Sequence, residues 1–228
     1  MTGAPPGRAD DDRFDAVVLA GGRASRLGGV PKPTLVVEGA TLLDHALAAC
    51  AGAAHTVVVG PEPTPVSARV APAAAPDVVH AREEPPYGGP VAGIDAGLRA
   101  LTRGRTDGPP APWVLVLAVD VPRAGAAVPL LRTALAGAGD APDGAHLVRD
   151  GRDQWLVGVY RHDALRAALD ATADDDGLHG ASVRRLMAHL ACVAVPDADG
   201  LSVDVDTWDD VRRLTVETHD GVDRVDEP

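Results

Sequence analysis

Apolar residues along this chain occur in two spacings. Short β-branched runs alternate with longer stretches in which apolar positions recur every three or four residues. Phe14–Ala20, His55–Gly60, Asp77–His80 and Trp113–Val119 read as strands. The first two and the last are nearly free of polar interruption, which implies burial on both faces. Thr41–Cys50, Ala92–Leu101 and Ala126–Leu135 carry helical spacing, with Thr41 as the N-cap of the first. His146–Val148 and Trp155–Tyr160 read as two more strands, with Asp150-Gly-Arg-Asp153 as the turn between them. Helices follow at Asp163–Asp170 and Ser182–Leu190, then a strand at Ala191–Val195 and a closing helix at Thr207–Val216. Pro61–Pro76 and Gly104–Pro112 read as surface loops.

Strands that alternate with helices over roughly the first 140 residues predict an α/β fold. The expectation is a single Rossmann-like three-layer α/β/α domain with a mostly parallel sheet, followed by a small mixed extension. Ligands of such sheets sit at the carboxyl ends of the strands, so residues just after a strand are the ones to read for chemistry.

Composition narrows the picture. With 228 residues, 46% of them apolar but only 3% aromatic, the core must be built largely from alanine and valine. The ordered domain is expected over residues 13–216, with acidic tails at 1–12 and 217–228 too poor in apolar residues to fold alone. The formal net charge is −12; the tails hold eight acids and two bases, which leaves −6 on the body. A body of that sign is wrong for coating nucleic acid, although it permits a phosphate ligand held by a few local donors. No apolar run of about 20 residues suggests a membrane span, and the N-terminus lacks a secretory pattern, so a cytoplasmic protein is expected. Cys50 and Cys192 are isolated and read as reduced core residues.

The most informative segment is Leu19-Ala-Gly-Gly-Arg-Ala-Ser-Arg-Leu-Gly-Gly-Val-Pro-Lys32, directly after the first strand. It has neither Gly-x-Gly-x-x-Gly nor the Gly-Lys-Ser/Thr of a P-loop. Its small residues let backbone N–H groups approach a phosphate or a base closely. Arg23, Arg26 and Lys32 supply cations suited to phosphate oxygens. Asp120 ends the Trp113 strand, where a side chain points into the ligand crevice and a carboxylate suits Mg²⁺; a turn-forming Asp before Pro122 is the plainer reading. Asp204 and Asp206 share one side of an extended segment, and Asp206 or Thr207 is equally suited to cap the closing helix.

This Leu19–Lys32 loop resembles the signature of nucleotidyltransferases of the molybdenum cofactor guanylyltransferase type. The resemblance extends to Gly89-Pro-Val-Ala-Gly93, Val116-Leu-Ala-Val-Asp-Val-Pro122, Gly158-Val-Tyr-Arg161 and Asp204-Val-Asp-Thr207, and so covers nearly the whole chain in order. It implies transfer of GMP from GTP to the phosphate of molybdopterin or its molybdenum-loaded form, with release of pyrophosphate and Mg²⁺ as cofactor. Lys32, Arg26 and Asp120 would be catalytic. Leu19, Ala20, Gly21, Gly22, Glu83 and Gly89 would join Lys32 and Asp120 in holding the nucleotide. Gln154 and Asp206 would face the acceptor, and Asp206 would share the metal with Asp120. Molybdoenzymes or cofactor-delivery proteins would be partners. Trp155 stands where relatives carry Pro, and reads either as a ring stacked on a pterin or as core. Arg184-Arg185 offer charge to an acceptor phosphate or form a solvated face. A cytidylyltransferase on the same pterin, an enzyme for another phosphorylated acceptor, and a catalytically idle nucleotide-binding module remain as alternatives; Gly60 stands where guanylyl enzymes often place a polar residue.

Overall fold

The computed structural model describes residues 12–21, 30–61, 78–103, 105, 108–139 and 141–220. The sheet is built from β1 (Phe14–Leu19), β4 (Thr56–Val59), β5 (Val78–Ala81), β6 (Trp113–Ala118), β7 (Gly144–Arg149), β8 (Arg152–Arg161) and β9 (Cys192–Pro196), in the order β5-β4-β1-β6-β8-β7-β9. β5, β4, β1 and β6 pair in parallel, β8 runs against both its neighbours, and β9 is parallel to β7. The expected parallel half and mixed extension are both present. A separate two-stranded ribbon joins β2 (Val36–Val37) to β3 (Ala40–Thr41).

Helices cover both faces, as the three-layer expectation required. One face carries α1 (Leu42–Ala49), α3 (Ala127–Gly137) and α6 (Trp208–Asp220), packed through Leu42, Leu43, Leu131 and Leu214. The other carries α2 (Pro90–Thr102), α4 (His162–Asp176) and α5 (Val183–Met187), packed through Ile94, Leu98, Leu165, Leu169 and Leu186. β1 and β6 are buried from both sides, which is why their sequences do not alternate. α2 lies close on β1: a Cβ at Gly97 would stand 2.5 Å from Val17 Cγ1, so only glycine lets the helix approach this far.

Thr41 caps α1 in a reciprocal box. Its hydroxyl accepts from Asp44 N–H at 3.1 Å, while Asp44 accepts from Thr41 N–H at 3.0 Å. Thr207 and Asp210 repeat the device at α6. Thr207, not Asp206, is thus the cap, and α6 continues to Asp220, past the Val216 at which its pattern was expected to close. Cys50 is buried and Cys192 half-buried, both as free thiols. Burial pushes the Cys50 thiol up to about 12 and Cys192 up to about 11, so neither is poised to react.

Two sequence expectations need correcting. The turn after β7 is only Asp150-Gly151, both with positive φ (50° and 72°), and Arg152 already pairs with Arg149. Asp153 is therefore a strand residue, because two left-handed residues reverse the chain without help from the next two. The ribbon β2–β3 was not read from the pattern at all. It turns the same way, through Glu38 and Gly39 (φ 51° and 83°), but two-residue strands are too short to display a period.

Candidate active site

The chain leaves β1, builds β4 and β5 on one side, and returns to place β6 on the other side of β1. The carboxyl ends of β1 and β6 therefore flank the topological switch point, where neighbouring connections diverge and open a crevice. Val119 N–H donates to Leu19 O at 3.0 Å, which locks the two ends together. A cavity of about 660 Å³ opens there, within the size range of small-ligand sites. Leu19, Gly21, Glu83, Gly89, Asp120 and Gln154 all line it.

Not every expected residue reaches that wall. Ala20 is buried, and its N–H donates to Val59 O at 2.8 Å, so it belongs to the sheet and has no N–H to offer a ligand. Gly22 and Arg26, like Arg23, lie outside the described residues. Lys32 opens a short 3₁₀ turn (Lys32–Thr34) at the Asp120 edge of the cavity. Arg184 is exposed on α5 and does not line the cavity. Arg161 lies at the opposite end of the sheet, 5.2 Å over the Trp113 ring, and is thereby removed from the site.

Three residues distant in sequence converge at this edge. Lys32 Nζ donates to Asp120 Oδ2 at 2.6 Å and to Asp206 Oδ1 at 2.5 Å. Asp206 is delivered by an extended segment tied to the end of β6, since Val205 N–H donates to Asp120 O at 2.8 Å. Asp204, two residues back, lines the cavity and approaches Arg149 at 3.9 Å. Of the two aspartates it is Asp206 that joins Asp120. Burial works against the Lys32 ammonium, but the hydrogen bonds and charges of Asp120 and Asp206 outweigh it and raise its pKa.

Two carboxylates held on one cation are also a donor set for Mg²⁺, which takes one or two carboxylates and completes its shell with phosphates and water. Among the described residues no cluster of three His, Cys, Asp or Glu side chains offers a metal cage by itself. The residues present fit a metal that arrives with a nucleotide.

The loop before α2 forms a second wall. Glu83 Oε1 accepts from Tyr87 N–H at 3.1 Å and stands 3.9 Å from where a Gly21 Cβ would be, so the carboxylate overhangs Gly21. Gly89 (φ 89°) makes the turn into α2, and Pro90 at its first position leaves the cavity side lined by Gly89, Pro90 and Gly93. Gly60 has no room for a side chain: a Cβ would fall 2.9 Å from the Ala20 carbonyl carbon.

The third wall carries Gln154 and Trp155, both singled out in the sequence, on a bulge that was not. Between His146 and Leu147 the β7–β8 register slips, since His146 pairs with Gly158 but Leu147 with Gln154. The bulged stretch Trp155–Val157 lines the cavity together with Asp153 and Gln154. Tyr160, fully buried, donates its hydroxyl to Trp155 O at 2.7 Å and so pins the bulge. Its ring crosses Gly158, where a Cβ would meet Tyr160 Oη at 2.5 Å. The Gly-x-Tyr spacing was the available signal. Trp155 packs on the α2/α4 core, as the core reading expects, and also lines the cavity.

Crevice, lysine and strand-end carboxylates lie together at the switch point, and the class of protein follows from its relatives. Residues 16–194 match the MobA-like NTP transferase domain, and the chain belongs to this family of nucleotidyltransferases. It is 33% identical over 198 residues to the molybdenum cofactor guanylyltransferase of Acidiphilium cryptum (strain JF-5), covering 86% of this chain and 91% of that one. The molybdenum cofactor guanylyltransferase of Pseudomonas paraeruginosa (strain DSM 24068 / PA7) is 34% identical over 139 residues, 61% of this chain and 63% of the relative. In fold, the 2-C-methyl-D-erythritol 4-phosphate cytidylyltransferase of Thermus thermophilus matches with a TM-score of 0.61 at 18% identity, over 91% of this chain and 99% of that one.

Proposed function

We propose that the protein transfers GMP from GTP to the terminal phosphate of molybdopterin or its molybdenum-loaded form, releasing pyrophosphate. The observation that carries this reading is the Lys32 ammonium set between Asp120 and Asp206 at the switch-point cavity. The acceptor phosphate, a monoester with a second pKa near ~6, is already largely dianionic at neutral pH. It attacks the α-phosphorus without a strong general base, so alignment and charge stabilisation supply the catalysis.

Lys32 neutralises charge on the α-phosphate and the departing pyrophosphate, a task that Arg26 shares by its place in the sequence motif. Asp120 and Asp206 would hold Mg²⁺, which would screen the phosphate charges of the incoming nucleotide. Leu19 and Gly21 line the floor for base and ribose. Glu83, held by the Tyr87 amide, accepts from the N1–H and 2-amino donors of guanine, which cytosine lacks as a pair. Gln154 faces the acceptor. Among the described residues no helix is long and apolar enough to cross a membrane, and we assign the protein to the cytoplasm, where GTP is abundant. Molybdoenzymes or delivery proteins are the recipients of its product.

The test is a thermal-shift series with GTP, CTP, ATP and UTP, with and without Mg²⁺. Mg²⁺-dependent stabilisation by GTP above the others is expected. A preference for CTP would move the reading to a cytidylyltransferase, and no shift with any triphosphate would favour an idle module.

A further inference from the structure

Asp153 and His146 form a pair on the β8 wall to which the mechanism above gives no task. The Asp153 side chain is 45% exposed and lines the cavity, while the His146 side chain behind it is 7% exposed. His146 Nε2 lies 2.9 Å from Asp153 Oδ1. A carboxylate accepts, so Nε2 carries the hydrogen of this contact. Nδ1 is buried and has no hydrogen-bond partner among the described residues. A buried imidazole with one unsatisfied nitrogen is a net cost to folding. A carboxylate that only needed solvation would have no use for it. The imidazole fixes where this carboxylate points.

The neighbours describe what it faces. Trp155, in the bulge two residues on, is tilted 56° to the His146 ring with centroids 6.3 Å apart, and presents apolar surface to the same cavity. Tyr160 fixes the Trp155 carbonyl. A rigid carboxylate beside an aromatic side chain suits a flat heterocycle with two adjacent N–H donors, which a carboxylate accepts in parallel. Glu83 on the opposite wall has the same chemistry.

We infer that Asp153 reads the acceptor: it accepts from the paired N–H and amino donors on the 2-amino-4-oxo edge of a pterin lying against Trp155, and His146 is its positioning residue. The inference rests on the reading of the acceptor as a phosphorylated pterin. The 2-amino-6-oxo edge of guanine and the 2-amino-4-oxo edge of a pterin present the same pair of donors, so the cavity holds one carboxylate for each: Glu83 for the nucleotide and Asp153 for the acceptor.

The test uses Asp153→Asn, His146→Phe and Glu83→Gln in the full chain, with steady-state transfer from GTP to molybdopterin. In parallel, direct binding of free 6-hydroxymethylpterin is followed by quenching of tryptophan fluorescence. Asp153→Asn should raise the KM for molybdopterin by about 10- to 100-fold, the range of a lost charge-assisted hydrogen bond, and weaken pterin binding to match, with the GTP KM unchanged. His146→Phe should do the same more weakly. Glu83→Gln should show the reverse pattern, raising only the GTP KM. An unchanged acceptor KM in Asp153→Asn, or a rise in its GTP KM instead, would overturn the assignment of Asp153. Wild-type protein that neither binds the pterin nor transfers to molybdopterin would overturn the acceptor reading itself and the inference with it, a result separable from the first because it appears without any substitution.

Discussion

Lys32 and Asp120 lie 88 positions apart in the chain and meet at 2.6 Å. One comes from the glycine-laden connection after β1 and the other from the end of β6. Their contact follows from topology: the two strands are neighbours, and both connections leave from the same end of the sheet. Asp206 arrives from a third direction, carried by a segment hydrogen-bonded to the Asp120 carbonyl. A site assembled at strand ends in this way can lose a side chain without losing the sheet.

Removing the Tyr160 hydroxyl tests the bulge. Tyr160→Phe leaves the Trp155 carbonyl without its donor, at an expected cost of about 1 kcal/mol in stability. The acceptor KM should rise while the GTP KM holds, because the wall that moves is the β8 wall. Gly158→Ala should be worse in both respects, since its Cβ would overlap the Tyr160 ring. Chemical denaturation beside two-substrate kinetics checks both variants. Equal rises in the two KM values would contradict a local role.

Gly60→Ala tests close approach. The added methyl meets the Ala20 backbone, not a flexible side chain, so the end of β4 or the glycine loop must shift. Destabilisation of about 1–3 kcal/mol is expected, as for overpacking elsewhere, together with weakened GTP binding. Calorimetric titration of the variant with GTP and Mg²⁺ measures the second effect. Unaltered affinity would show that the loop after β1 is not what seats the nucleotide.

Acid should loosen the segment that carries Asp206. Asp197 accepts from Leu201 N–H at 2.7 Å, and from Ser202 N–H at 2.8 Å and the Ser202 hydroxyl at 2.5 Å. Burial opposes its charge, yet these hydrogen bonds and Arg149 prevail and lower its pKa. A carboxyl depressed in the folded state contributes stability that is complete above its unfolded value, near ~4, and is lost as pH falls through the folded value. Activity and hydrogen-exchange protection of residues 197–206 should therefore fall together below about pH 4. Asp197→Asn should reproduce the loosening at neutral pH, and full protection in that variant would contradict this cause.

The sequence and the structure agree best where one strand is buried on both faces. β1, β4 and β6 were legible within a residue or so because an unbroken β-branched run has few other uses. Asp120 was legible as a strand-end carboxylate, and Lys32 was singled out by the resemblance of the Leu19–Lys32 loop to the family signature. Of the third wall, Gln154 and Trp155 were singled out, but Asp153 and the bulge were not. Asp153 follows Asp150-Gly151 and looked like turn, and nothing in its own neighbourhood announces His146 seven residues earlier. The bulge is a register slip between two strands, a property of their pairing that neither strand's periodicity contains. Asp206 over Asp204 was decided by the Val205 hydrogen bond to Asp120, a tertiary contact.

The most direct measurement follows label from the α-phosphate of GTP onto molybdopterin in wild type, Lys32→Ala and Asp120→Ala, with each variant's melting temperature recorded alongside. Wild type should form the labelled dinucleotide and pyrophosphate in equal amounts. Each variant should turn over at least about 100-fold more slowly, as when one charge-stabilising group is removed, while still melting cooperatively. Wild-type rates in both folded variants would mean that the Lys32–Asp120 contact is a structural ion pair and that the chemistry lies elsewhere.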